Sequence, residues 1–196
     1  MPGSVPYFDD VYIEHIKLLK PNSVLDVGVG AAKYGFLTRQ SIPHCNIHGL
    51  EPELSYLEKY KTSGIYNKIY NKSIQQFVRE DMNNQEKYDL VVFGDILEHL
   101  FLSEAYDVLN FFSTRCKWLI VQFPSNMPQF AVDGINWEVH RSNLELKDFI
   151  RYNVIYYASV KQPNYNEFHQ YVVMSMLLDS DKVAPIKCEL CPQLRN

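Results

Sequence analysis

Five short apolar segments alternate with stretches of helical spacing through the first two thirds of the chain. The segments begin at residues 23, 46, 67, 88 and 117. The one at 88–95, YDLVVFGD, is apolar through its middle, as a central strand buried on both faces should be. Strands that alternate with helices favour parallel pairing. We therefore expect an α/β fold with an open, mostly parallel, doubly wound sheet.

Two β-rich segments follow near the C-terminus, VIYYASVK at 154–161 and FHQYVVMSMLL at 168–178. They predict an antiparallel hairpin at one edge of the sheet. A chain of 196 residues is long enough for one domain with a proper core. We expect a single domain over 1–196, with an N-terminal helical segment at 1–22, a long acceptor or lid loop at 125–143 and a C-terminal tail at 181–196.

The turn after the first segment carries Asp26, Gly28 and Gly30, and glycines there let the backbone approach a ligand closely. Glu51 ends the next segment, about 20 residues after the glycine turn. An acidic residue at this sequence separation can accept both hydroxyl protons of a ribose. An adenosine ribose is therefore expected. A nicotinamide dinucleotide is the less favoured ligand, because the third glycine of Gly-x-Gly-x-x-Gly is missing. Asp26 would also repel a pyrophosphate and suits an ammonium group.

The segment at 88–95 runs into an acidic and histidine-containing motif, FGDILEHL. A helix from about Ile96 to about Cys116 would place Asp95, Glu98 and His99 on one face of its first turn. Two carboxylates and an imidazole can bind a divalent ion, and the loop at 125–143 offers a further ligand. The alternative is a metal-free site, in which Asp95 and Glu98 cap the helix and a histidine is the general base.

The motifs VLDVGVG, GLEPE and YDLVVFGDILEHL, in this order, resemble those of class I S-adenosylmethionine-dependent methyltransferases. The resemblance implies a Rossmann-like sheet of seven strands, the last one antiparallel, with helices on both faces. It implies that S-adenosylmethionine is the cofactor. The residues that it assigns to the cofactor are Asp26, Gly28 and Gly30 in the first motif, Glu51 and Pro52 at the ribose, Ser73 and Ile74 at the adenine, and Gly94 and Asp95 under the methionine part.

The Asp-x-x-Glu-His motif resembles a metal-dependent subset of the same family. Small-RNA 3′-terminal 2′-O-methyltransferases carry Glu-x-x-Glu-His and a later loop histidine, and ubiquinone-biosynthesis O-methyltransferases carry Asp-x-x-Glu-His. The resemblance implies Mg²⁺ or Mn²⁺ held by Asp95, Glu98, His99 and His140, with two vicinal hydroxyls on the ion. The same comparison makes His99, His140 and Asp95 the candidate catalytic residues.

The loop at 125–143 is the expected wall of the acceptor site, and its aromatic, amide and guanidinium groups suit a sugar: Asn126, Phe130, Asn136, Trp137 and Arg141. We expect O-methylation of a sugar hydroxyl on a glycan or glycoside. The alternatives are an RNA 2′-hydroxyl, another small-molecule acceptor, or a non-catalytic module that binds S-adenosylmethionine. The loop also looks like that of methyltransferases that sit beside glycosyltransferases, often as one domain of a larger glycan-modifying protein.

The net charge and the hydropathy pattern limit the classes of partner that the chain is expected to bind. The net charge is −4 and no cluster of Lys or Arg is present, which disfavours nucleic acid as a partner. No apolar run is long enough to cross a membrane, so no membrane partner is expected. The first residues lack the basic-then-apolar pattern of a signal peptide, and the four cysteines fit buried thiols in a reducing compartment. We therefore expect a cytoplasmic protein.

Overall fold

The computed structural model describes residues 4–60, 62, 64–81, 86–161 and 169–177. The predicted tail at 181–196 and the link within the C-terminal hairpin lie outside the described residues. The strands are β1 (Ser23–Val27), β2 (Asn46–Leu50), β3 (Lys68–Tyr70), β4 (Tyr88–Gly94), β5 (Cys116–Ser125), β6 (Val154–Lys161) and β7 (His169–Met176). The helices are α1 (Asp9–Leu19), α2 (Lys33–Ser41), α3 (Leu54–Lys59), α4 (Ile74–Asp81) and α5 (Leu102–Phe112).

The seven strands form one sheet in the order β3-β2-β1-β4-β5-β7-β6. The five strands from β3 to β5 pair in parallel, while β7 is antiparallel to both β5 and β6. The predicted fold class, including the antiparallel C-terminal hairpin at the edge, is confirmed. None of the helices in the described ranges is long and apolar enough to cross a membrane.

Side chains of β4 alternate between two cores, which explains why its sequence is apolar without interruption. Leu90 and Val92 pack in the core under α1 and α2. Val91 and Phe93 pack in the core under α4 and α5. The sheet is thus covered by helices on both faces, and its parallel strands expose their carboxyl ends at one edge. Strand order reverses between β1 and β4, and ligands bind in the crevice at such a switch point.

The prediction of one helix from Ile96 to Cys116 is wrong. The chain forms a 3-10 turn at Leu97–His99, becomes extended at Leu100, and starts α5 at Leu102. The carbonyl oxygen of Glu98 accepts the backbone N–H groups of Arg141 (2.7 Å) and Ser142 (3.1 Å), so it is engaged outside a helix. Helical spacing of apolar residues could not reveal this contact, because its partners lie in a distant loop.

Candidate active site

The turn between β1 and α2 is shaped by glycine at the switch point. Gly28 has φ +79°, and a Cβ built on it would lie 1.9 Å from Cδ1 of Ile96. Its N–H donates to the carbonyl of Leu50, the last residue of β2, at 2.8 Å. Only glycine meets both the conformation and the close approach. The turn therefore holds its backbone against the end of the neighbouring strand, beside the crevice.

Glu51 ties this turn to β2 through both carboxylate oxygens. Oε2 accepts the N–H of Gly30 at 2.8 Å, and Oε1 accepts the N–H of Glu53 at 2.9 Å. The side chain is buried, and this desolvation raises the pKa of its carboxyl group. Each oxygen has a second acceptor position, so the carboxylate can still accept the two hydroxyls of a ribose.

Asp26 lies behind the turn and is not among the residues that line the cavity. Its Oδ2 accepts the N–H of Gly35 at 3.0 Å and the hydroxyl of Tyr66 at 2.6 Å. Complete burial raises the pKa of this carboxyl to about 7. These contacts support a role for Asp26 in holding the loop and the first turn of α2, rather than the expected contact with an ammonium group of the cofactor.

One cavity of about 400 Å³ opens at the carboxyl edge of the sheet and collects the other predicted residues. They are Gly28, Gly30, Glu51, Pro52, Ser73, Ile74, Gly94, Asp95, Glu98, His99 and His140. Cofactor and acceptor candidates therefore share one space. Several lining residues were not foreseen, among them Ser4, Val5, Lys33 and Gln170.

The N-terminal segment contributes Ser4 and Val5 to the lining of this cavity, and Lys33 holds it there. The Lys33 ammonium lies 2.5 Å from Oδ1 of Asp9 and donates to the carbonyl of Val5 at 2.7 Å. The hydroxyl of Ser4 donates to the carbonyl of Gly94 at 3.0 Å. Nothing in the local sequence predicts this segment as part of the site, because its partners lie far along the chain.

Glu98, His99 and His140 come together at one end of the cavity. Each offers a potential ligand atom, and the three atoms lie within 4.8 Å of one another. The imidazole centroids are 4.8 Å apart. Nδ1 of His99 faces the carbonyl of Val139 at 3.3 Å, and Nδ1 of His140 faces that of Met127 at 2.6 Å. Since a carbonyl only accepts, each Nδ1 carries the hydrogen and each Nε2 keeps its lone pair.

The protonation states in this group follow from burial. Glu98 is 1% exposed, and neither oxygen of its carboxyl group has a hydrogen-bond partner among the residues that the structure describes. Desolvation, with the nearby Asp95, raises the pKa of Glu98 well above its usual range. Desolvation and the neighbouring His140 lower the pKa of His99 to about 4, and desolvation lowers the pKa of His140. Both imidazoles are therefore neutral at pH 7, the form that binds a metal or accepts a proton.

Asp95 is not a member of that group. Its carboxylate accepts the side-chain amides of Gln122, at 3.2 Å, and of Gln170. Its backbone has φ +57°, so the helical turn that would place it beside Glu98 and His99 does not form. Three of the four predicted metal ligands thus converge, and the fourth is engaged by two amides.

The loop at 125–143 forms the outer wall through aromatic side chains. Trp137 is 46% exposed and Phe101, before α5, is 59% exposed, and both line the cavity. Phe130 is 86% exposed on the same loop. Asn126, by contrast, pairs with Asn143 at the base of the loop. Of the five loop residues expected at the acceptor wall, Trp137 and Arg141 line the cavity, whereas Asn126, Phe130 and Asn136 do not.

The geometry agrees with comparisons to solved structures, although no protein-family model and no curated protein sequence matches the chain. A candidate O-methyltransferase from Nostoc punctiforme is 16% identical over 87% of this chain, with a TM-score of 0.57. The N-terminal domain of EvdMO1, crystallised with S-adenosylhomocysteine (SAH) and D-fucose, is 12% identical over 86% of this chain and 82% of its own, with a TM-score of 0.61. The methyltransferase domain of bacterial CtHen1-C is 18% identical over 86% and 96%, with a TM-score of 0.55.

These likenesses show that the chain shares the Rossmann-like fold of these solved structures, two of which are methyltransferases by name. At identities this low they carry the fold alone. The chain spans 57% of the length of the Nostoc protein.

Proposed function

We propose that this protein is an S-adenosylmethionine-dependent O-methyltransferase that methylates one hydroxyl of a vicinal diol on a sugar. The observation that carries the proposal is the buried carboxyl group of Glu98, which has no hydrogen-bond partner in the described part of the chain and lies beside two neutral imidazoles. This group shares a cavity with the glycine turn and Glu51. A cofactor pocket and an acid–imidazole site in one space fit the transfer of a methyl group to an oxygen.

The cofactor end of the cavity fits adenosine and methionine. Glu51 is placed to accept the ribose hydroxyls, and Ser73 and Ile74 line the cavity where adenine is expected. Gly94 lines the cavity at the end of β4, where the methionine part is expected, and the ring of Tyr34 leaves no room for a side chain, since a Cβ would lie 1.8 Å from its Cε2. These placements support S-adenosylmethionine as the cofactor.

The residues at the other end fit a divalent cation. A buried carboxylate without a partner is costly to keep unless a cation or a donor satisfies it. One carboxylate with two imidazoles suits Mn²⁺ better than Mg²⁺, which prefers oxygen ligands alone. Glu98, His99 and His140 would hold the ion, which when bound would orient two adjacent hydroxyls and acidify one of them. In the metal-free version of the proposal, Nε2 of His99 or His140 takes the hydroxyl proton.

The reaction balances in either version. The acceptor oxygen forms a bond to the methyl carbon as the carbon–sulfur bond breaks, and the sulfonium becomes a neutral thioether. In the metal-free version the hydroxyl proton leaves to Nε2 of His99 or His140; with an ion bound, both of those lone pairs would be on the ion, and the acidified hydroxyl would lose its proton to solvent water. The protein's main contribution is to hold the oxygen in line with the methyl group.

Three observations favour a sugar as the acceptor. Trp137 offers a half-exposed aromatic face at the cavity, and such faces pack on the CH groups of sugar rings. The EvdMO1 domain was crystallised in the presence of D-fucose. A net charge of −4 disfavours an RNA backbone, although a terminal ribose would offer the same diol.

The buried free thiols of Cys45 and Cys116 favour a cytoplasmic location for the protein. A place as one domain of a larger glycan-modifying enzyme fits the same proposal.

Labelled S-adenosylmethionine with a panel of glycosides and short RNAs tests the function. Each acceptor is paired with a deoxy analogue that lacks one hydroxyl of the diol. We expect transfer to a diol-bearing sugar, loss of transfer in His140→Ala, and no loss in the control His44→Ala, since His44 is exposed and outside the cavity. A chelator with Mn²⁺ add-back separates the two versions, because only the metal version switches off and on. Transfer to RNA alone would show that the acceptor is an RNA ribose and not a glycoside. Transfer to amines alone would contradict the proposal of O-methylation.

A further inference from the structure

We propose that Arg141 is a positioning residue that assembles the acid–imidazole group, rather than a residue that reads the acceptor. This inference rests on the proposed function for the role of the group. Sequence reasoning places Arg141 in the acceptor wall, where its charge would face a ligand. Its contacts point elsewhere, toward the backbone of the two segments that carry the histidines.

The guanidinium joins these segments directly. Nη1 donates to the carbonyl of His99 at 2.8 Å and to that of Val139 at 3.3 Å. Nη2 donates to the carbonyl of Asn136 at 2.9 Å. One acceptor belongs to the 3-10 turn after β4 and two belong to the loop after β5. Three of the five guanidinium hydrogens are therefore used on backbone oxygens and are not available to an acceptor.

The backbone at the same place completes the junction. The N–H of Arg141 donates to the carbonyl of Glu98 at 2.7 Å, and the N–H of Ser142 donates to the same oxygen at 3.1 Å. Any residue could supply these N–H groups. Only the planar guanidinium can reach three carbonyls on two segments at once, since a lysine ammonium is a compact charge on a flexible stem.

The contacts of Arg141 fix the distance between the imidazoles of His99 and His140. His99 lies next to Glu98 in the turn, whereas His140 comes from the loop, so nothing in the chain's local geometry brings them together. The junction at Arg141 holds the loop so that the imidazole centroids are 4.8 Å apart. Without the guanidinium, the junction would keep the backbone contacts to Glu98, the Nδ1–H of His99 on the carbonyl of Val139 at 3.3 Å and the hydroxyl of Ser142 on that of Leu97 at 3.4 Å, the last two being long hydrogen bonds.

The test uses Arg141→Met and Arg141→Lys, with Arg79→Met as the control. Arg79 is exposed on α4, and its Nε donates within its own helix to Gln75. In the metal-free, SAH-saturated protein we expect an NMR cross-peak between the ring protons of His99 and His140. It should persist in the control and be lost or strongly weakened in Arg141→Met, while SAH affinity stays within about twofold of wild type, as expected if the cofactor end of the cavity is unaffected.

Mn²⁺ titration gives the second readout. Residues that orient ligands typically change metal affinity by about 10- to 100-fold, so we expect a loss in that range for Arg141→Met and partial recovery in Arg141→Lys. The inference is overturned if both variants keep the ring cross-peak, or bind Mn²⁺ as tightly as wild type. A wild-type protein that binds no Mn²⁺ would contradict the metal version of the proposed function, and the cross-peak would still decide the role of Arg141.

Discussion

Replacing Glu51 with alanine should weaken the binding of S-adenosylmethionine and SAH more than any other single change at the cofactor end. The carboxylate holds two backbone N–H groups, those of Gly30 at 2.8 Å and Glu53 at 2.9 Å. Its remaining acceptor positions would take the ribose hydroxyls. A hydrogen bond to a charged group contributes about 1.5–3 kcal/mol, and two such bonds to the ligand are lost. Allowing for partial replacement by water, we expect a loss of about 2–4 kcal/mol, or roughly 30- to 1000-fold in affinity.

Calorimetry with SAH at neutral pH measures this loss. Glu51→Gln should fall between wild type and alanine, because an amide keeps one acceptor but turns a donor toward the second backbone N–H. Glu58→Ala is the matched control, since Glu58 is exposed on α3. Thermal unfolding of the unliganded variants shows whether they remain folded. An affinity within about threefold of wild type in folded Glu51→Ala would refute the assignment of the ribose to Glu51.

Three further substitutions test the roles of buried and cavity-lining residues in activity, stability and cofactor release. Glu98→Leu should abolish turnover. In urea titrations of the protein freed of metal by a chelator, it should raise the free energy of unfolding by about 1–3 kcal/mol, because an unpartnered buried carboxyl group is removed. Lower stability would contradict this. The pKa of Asp26, raised to about 7 from 3.8, gives stability that is full below about pH 4 and is lost as the pH rises through about 7. Urea titrations at a series of pH values should show that the free energy of unfolding falls by about 4 kcal/mol over this range, and that the fall is smaller in Asp26→Asn. The same dependence on pH in wild type and variant would count against this prediction. Lys33→Met should release Val5 and speed SAH dissociation about tenfold in stopped flow, and an unchanged rate would show that the segment does not retain the cofactor.

The parallel strands and the C-terminal hairpin could be predicted because their signals are local. An uninterrupted apolar run such as that of β4 reflects burial on both faces, and the turn at Gly28 and Gly30 reflects a backbone that must approach its neighbour. The spacing of Glu51 from that turn predicts a position at the ligand site, and Glu51 lines the cavity. Each of these features leaves a short pattern in the sequence, although the contacts that it reflects join neighbouring strands.

The features that could not be predicted depend on contacts between distant segments. The helix from Ile96 fails because the carbonyl of Glu98 bonds to the loop at Arg141 and Ser142. The same failure removes Asp95 from the group of Glu98, His99 and His140, since the expected shared face required that helix. Ser4 and Val5 are held at the cavity by Gly94, Lys33 and Gln122, which no local pattern connects to them.

The most direct test of the proposed function is mass spectrometry of a sugar acceptor after incubation with methyl-labelled S-adenosylmethionine. The proposal predicts that one labelled methyl group appears on an oxygen of a vicinal diol, that the deoxy analogue lacking the neighbouring hydroxyl is a poor acceptor, and that His99→Ala and His140→Ala abolish the label. Equal labelling of diol and deoxy acceptors, label found only on nitrogen, or full activity in both histidine variants would contradict it.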